Sequence, residues 1–189
     1  MRPAPTTLFE VPVGRTYALV LLSGGLLSLA FPDPSIAPVA WVALVPLLAL
    51  GSQATVRRGA SLGLVFGLGF FGTLLSWISL VGWLAWGLLV LLQALWVALF
   101  GAGWALASRS RGRPARILSA AALWVAIEFL RATVPLGGFT WGELAQSQAN
   151  LGWLLRSASL GSETPDGWLC PTITADALWC SARLTTSRG

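Results

Sequence analysis

Long runs without a charged residue divide this chain into blocks sized to cross a lipid bilayer. A crossing helix needs about 17–25 predominantly apolar residues. Thr16 to Pro32 is the first such run, reading through YALVLLSGGLLSLAFP. No clean small-x-small cleavage pattern follows it, and more apolar runs do, so it reads as a retained helix rather than a signal peptide. Pro32-Asp33-Pro34 stops it, because proline cannot continue a helix. Pro34 to Val56 is the second run, with VAWVALVPLLAL as its apolar core. Pro46 lies inside it, which a membrane helix tolerates when neighbours satisfy the freed carbonyl.

Arg57 and Arg58 interrupt, and Gly59 to Ser108 then gives fifty residues without a charge. That length holds two crossings and a turn. The break is predicted at Val81–Gly87, beside Trp77, Trp83 and Trp86, since tryptophan rings favour the headgroup boundary. Helix three is then about Leu62–Leu80 and helix four about Leu88–Ala107. The basic segment RSRGRPAR (Arg109 to Arg116) precedes a fifth helix, about Ile117–Leu130. Beyond a Gly-Pro-rich stretch from Thr133 to Trp141, Glu143–Leu155 reads as an interfacial helix or as the start of a sixth span. The pattern predicts an all-α polytopic transmembrane bundle of five spans, or six, over residues 1–160. From Gly161 there is no long apolar run and no clear period, so 161–189 reads as a divergent, poorly ordered extramembrane tail.

Composition agrees with this pattern. Of 189 residues, 56% are hydrophobic and 10% charged, with a mean hydropathy of +0.75. Soluble domains carry about 25% charged residues, so this chain cannot cover a soluble globule. The twelve basic residues are all Arg, with no Lys and no His. That excludes from these residues a Ser-His-Asp triad, a histidine metal site, a Schiff-base lysine and a P-loop lysine. Cys170 and Cys180 fix no disulfide framework and are too few for a zinc site, so they read as ordinary thiols. No cofactor or metal is predicted.

The arginines set the orientation. Arg2, Arg15, Arg57, Arg58, Arg109, Arg111, Arg113 and Arg116 lie in segments that alternate crossing puts on one side, and the turns between helices one and two and between three and four hold none. Positive residues favour the cytoplasmic side, which places the N-terminus in the cytoplasm. The net charge of +5 is explained by topology and contact with acidic headgroups, not by nucleic acid.

Three features carry candidate chemistry. Gly59, Gly63 and Gly67 recur at steps of four along one helix face. Small residues there admit a close neighbouring helix, with a groove for a lipid chain as the alternative. Glu128 and Arg131 share a face near the end of helix five, and charge at membrane depth is costly and often functional. Structural anchoring and a site role are equally open for this pair. Glu128 is the only acidic residue in a predicted span, which argues against an ion-coupled transporter. The loop LGGFTWGELAQSQ then brings Gly137, Gly138, Trp141, Gln146 and Gln148 just outside that helix.

LAFPDPSIAPVAWVALVPLL, RRGASLGLVFGLGFFGTLLSWIS and ALWVAIEFLRATVPLGGFTWGELAQSQ, in this order and spacing, resemble the N-terminal membrane region of the apolipoprotein N-acyltransferase family. The resemblance covers about Leu19 to Gly161. It implies a bacterial inner-membrane enzyme that moves an acyl chain from a phospholipid to the N-terminal amine of a lipoprotein. It also implies eight membrane helices and an outer nitrilase-like domain with a Glu-Lys-Cys triad. That domain has no counterpart in these residues, the absence of Lys leaves the triad incomplete, and Thr140 stands where the family pattern has proline. A truncated or frame-shifted member is the expectation, inactive alone. The alternative is a noncatalytic membrane module that binds lipid, a lipoprotein or a separate catalytic chain. The resemblance places Glu128, Arg131, Phe139, Trp141 and Gln148 near lipid substrate.

Overall fold

The computed structural model describes residues 13–31, 35–109, 112–134 and 138–148. Among these there is no strand; six α-helices and three short 3₁₀ turns make up the regular structure. They are α1 (Val13–Leu27), α2 (Pro38–Ala43), α3 (Val45–Gly51), α4 (Val56–Leu74), α5 (Trp83–Ala107) and α6 (Arg113–Thr133). The 3₁₀ turns are Ser28–Ala30, Ser76–Leu80 and Leu144–Gln148. The predicted tail from Gly161, with Cys170 and Cys180, and most of Glu143–Leu155 lie outside the described residues.

The second apolar run is not one helix. It breaks at Leu44 into α2 and α3, with Pro46 in the first turn of α3. Proline supplies no backbone N–H and its ring crowds the preceding turn, so the ladder cannot run through it. Pro38–Gly51 together reach about 21 Å at 1.5 Å per residue, less than a hydrocarbon core of about 30 Å. Val13–Ala30 and Trp83–Ala107 are long and apolar enough to cross a membrane.

Other boundaries shift for local reasons. Thr55 caps α4 by accepting a bond from the Arg58 amide at 3.3 Å. Arg57 and Arg58 therefore sit in the first turn of α4 rather than in a loop. The break after α4 falls at Leu75–Gly82, before the predicted Val81–Gly87, and α5 begins at Trp83. Gly112 and Pro114 start α6 at Arg113, so Arg113 and Arg116 are helical rather than loop residues. Proline fits there because a first-turn amide has no helical partner to lose.

Helix α4 is the centre of the bundle, with α5 on one side and α1 on the other; α6 packs on α5. The glycines of α4 explain both close contacts. A Cβ at Gly59 or Gly63 would collide with the backbone carbonyl of Gly101 or Val97, and one at Gly67 would lie 2.7 Å from Ala94 Cα. The predicted packing face is therefore the α4–α5 seam. Towards α1, Gly69 meets the Leu21 carbonyl and Gly24 meets that of Phe66 in the same way. Each glycine costs a helix roughly 1 kcal/mol in intrinsic propensity, which backbone approach on two faces offsets. Val20, Leu27, Phe31, Leu47, Leu62, Phe66, Phe70 and Phe100 fill the core.

Side chains tie one end of the bundle together. Tyr17 Oη and Ser61 Oγ lie 2.7 Å apart, joining α1 to α4. Trp104 Nε1 donates to the Leu48 carbonyl at 2.9 Å, and Ser108 Oγ donates to that of Ser52 at 3.0 Å. These two bonds fasten the end of α5 to α3 and the turn after it.

Candidate functional site

At its C-terminal end, α6 carries Glu128 and Arg131 three residues apart, on one helix face. Both turn toward the returning loop at 138–148. Glu128 Oε1 accepts from the Leu144 amide at 2.7 Å. Arg131 Nη1 donates to the Trp141 carbonyl at 2.7 Å, and the Arg131 carbonyl accepts from the Phe139 amide at 2.9 Å. Arg131 is 3% exposed, and its guanidinium lies over the Phe71 ring, 5.3 Å from the centroid. A charge on an aromatic face is attracted by the ring quadrupole. Both side chains thus anchor the loop.

Two glycines let the loop turn. Gly138 and Gly142 adopt φ of +81° and +82°, the left-handed region that residues with a Cβ rarely enter. A Cβ at Gly138 would also collide with the Ala132 carbonyl. Gln146 closes the loop on itself: its Oε1 accepts from the Gly142 amide and its Nε2 donates to the Thr140 carbonyl, both at 3.2 Å. Gln148 reaches across the bundle, where Nε2 donates to the Ala37 carbonyl at 3.1 Å, just before α2.

The loop presents Trp141 outward. It is 51% exposed and packs on Trp77, itself 49% exposed, with ring centroids 5.6 Å apart. Trp83 and Trp86 make an edge-to-face pair in the first turn of α5. Leu80, Val81, Trp83 and Leu84, on the turn after α4 and at the start of α5, are exposed as well. Beneath the loop, Phe70, Phe71, Trp96, Phe100, Trp124 and Ile127 line a seam between α4, α5 and α6, with Glu128 and Arg131 at its edge. The seam encloses about 20 Å³, room for about one water molecule. It is closed to a lipid chain in this conformation.

Of the five residues expected near substrate, Glu128, Arg131, Phe139 and Trp141 converge on the end of α6, and Gln148 points instead to α2. Sequence reasoning missed Phe71, the platform for Arg131, and the pairing of Trp77 with Trp141. It also passed over Gln93, 1% exposed in the middle of α5, whose Oε1 has no hydrogen-bond partner. A lone glutamine inside a fifty-residue charge-free run was the available signal. Among the described residues, no cluster of three or more potential metal ligands occurs.

Residues 23–171 match the family model described as the apolipoprotein N-acyltransferase N-terminal domain. A curated apolipoprotein N-acyltransferase from Geobacter metallireducens is 37% identical over 150 residues, covering 74% of this chain and 28% of that protein. Proteins of the same name from Gloeobacter violaceus and Coxiella burnetii are 32% and 33% identical, over 76% and 70% of this chain and 30% of each relative. The chain thus spans less than a third of the length of these relatives. The matched region begins in the last turns of α1 and takes in every later helix and the docked loop, and on this ground the chain belongs to the apolipoprotein N-acyltransferase family, through its N-terminal domain.

Proposed function

We propose that this chain is a membrane-embedded, lipid-contacting part of a bacterial lipoprotein N-acylation system, spanning the inner membrane several times with its N-terminus in the cytoplasm. The aromatic platform of Trp141, held on the loop that Glu128 and Arg131 anchor, against Trp77 is the observation that carries the reading. Indole rings pack on glycerol and acyl segments while their N–H groups meet the headgroup layer. Exposed Leu80, Val81, Trp83 and Leu84, which follow Trp77 in sequence, supply further apolar area for acyl chains. The seam under the loop has room for about one water molecule, so this reading puts the diacyl phospholipid along the outer surface.

Acyl transfer requires an activated nucleophile and groups that stabilise the tetrahedral oxyanion. The Lys of the triad implied by the family resemblance is absent from these 189 residues, so on this reading the chemistry needs other polypeptide. Binding alone does not lower the barrier to acyl transfer. The test is photo-crosslinking in proteoliposomes with a phospholipid carrying a photoreactive group in its acyl chain. Crosslinks concentrated in residues 77–88 and 138–148, and reduced in Trp141→Ala, support the reading. Labelling spread evenly along the exposed face of α5 would refute it. Incubation with labelled phospholipid and a diacylated lipopeptide should give no triacylated product; such a product would overturn the noncatalytic part.

A further inference from the structure

The end of the bundle opposite the tryptophan platform is a basic rim. Helices α4 and α5 run about 28 and 37 Å at 1.5 Å per residue, so their far ends are separated from the platform by most of a bilayer. At that far end Arg15, in the first turn of α1, and Arg57 and Arg58, in the first turn of α4, are exposed. The Tyr17–Ser61 contact fixes these two helix starts side by side. Arg109, just past α5, is exposed as well, with Nη2 donating to the Ala54 carbonyl at 3.4 Å beside the α4 cap. Arg116 stands partly exposed in the first turn of α6. Five arginines from four helices or their ends thus share one end.

No carboxylate answers them among the described residues. The acidic groups there are Glu128 and Glu143, and both belong to the opposite end, where Glu128 bonds the docked loop. Five like charges held together by fixed helix ends repel one another unless anions lie between them. Exposed apolar residues on the flanking helices, such as Leu19, Leu22, Leu99 and Leu106, put the rim at headgroup depth if the helices are embedded. Guanidinium groups bind phosphate through paired, parallel N–H donors.

We infer that Arg15, Arg57, Arg58, Arg109 and Arg116 form a binding rim for the headgroups of anionic phospholipids. It rests on the membrane-embedded reading above and concerns the other end of the bundle from the acyl-donor surface. Lipids of net negative headgroup charge gather at this rim in preference to zwitterionic ones. Each arginine near an anionic surface contributes a factor of roughly five in affinity. The attraction is screened by salt within about 10 Å at 0.1 M.

Electron spin resonance of the full chain in phosphatidylcholine vesicles provides the test, with spin-labelled phosphatidylglycerol or phosphatidylcholine as the probe. The protein-immobilised fraction should be several-fold larger for phosphatidylglycerol at low salt, and the preference should fall as salt rises. In Arg15→Gln/Arg57→Gln/Arg58→Gln it should drop toward equality, while the matching Lys variants should retain it. None of these three guanidinium groups holds a fold contact, so the bundle should survive both sets. Equal immobilisation of both probes by the native chain, or a preference that persists in the Gln variant, overturns the rim. Immobilisation of neither probe refutes the embedded reading itself, a different and distinguishable failure.

Discussion

Replacing Gly63 by alanine tests the α4–α5 seam most directly, because Gly72 on the same helix provides a matched control. A Cβ at Gly63 would collide with the Val97 carbonyl and lie 3.0 Å from Ala98 Cα. Both neighbours are backbone, so no side chain can swing away and the two helices must part. A separation of 0.5–1 Å forfeits about a quarter to a half of each facing dispersion contact. Overpacking of this kind costs roughly 1–3 kcal/mol. Alanine recovers about 0.8–1 kcal/mol in helix propensity at either position. At Gly72 a Cβ meets nothing within 4 Å, so only the propensity gain applies. Gly63→Ala should therefore range from near-neutral to about 2 kcal/mol destabilising, and Gly72→Ala should stabilise by about 1 kcal/mol. Their difference, roughly 1–3 kcal/mol, removes propensity and leaves packing. The assay is unfolding of the detergent-solubilised chain by titration with sodium dodecyl sulfate, followed by far-ultraviolet circular dichroism. If the two variants fall within about 0.5 kcal/mol of each other, the limit for ordinary surface changes, α4 and α5 do not meet at this face.

Four further outcomes follow from the contacts, the burial and the arginine distribution. Arg131→Met removes the charged donor to the Trp141 carbonyl and should cost about 1.5–3 kcal/mol; limited proteolysis should then cut within 138–148 faster than in the native chain, and unchanged cleavage would count against the anchor. Trp104→Phe keeps the ring packing but loses the bond to Leu48, and should lower stability by about 0.5–1.5 kcal/mol in the same unfolding titration. Gln93→Leu replaces a buried side chain whose Oε1 is unpartnered with an apolar one of similar size, and should raise stability by about 1 kcal/mol; a loss would show that Gln93 makes a bond in the membrane. Single cysteines at Arg57 or Arg116 in intact cells should escape a membrane-impermeant thiol reagent in a background lacking Cys170 and Cys180, and efficient labelling would reverse the orientation inferred from the arginines.

Charge spacing and hydropathy carried the gross plan of this chain. The helical fold, the limits of α1 within a few residues, the end of α5 at Ala107 and the fifth helix were all legible, because each depends on local apolar length and its interruption. The glycine steps of α4 likewise announced a packing face. What they met was not legible: α4 uses Gly59, Gly63 and Gly67 for α5 and Gly69 for α1, a choice made by the relative position of three helices. Pro46 was visible, yet whether the run would stay one kinked helix or part into two, with Leu44 between them and Pro46 in the first turn of the second, was settled only in the folded chain. Glu128 and Arg131 stood out as costly charges, but their partners are backbone groups 16 and 10 residues onward, exposed by the left-handed turns at Gly138 and Gly142. A side chain's hydrogen-bonding capacity is written in its chemistry; the backbone group that uses it is chosen by the fold.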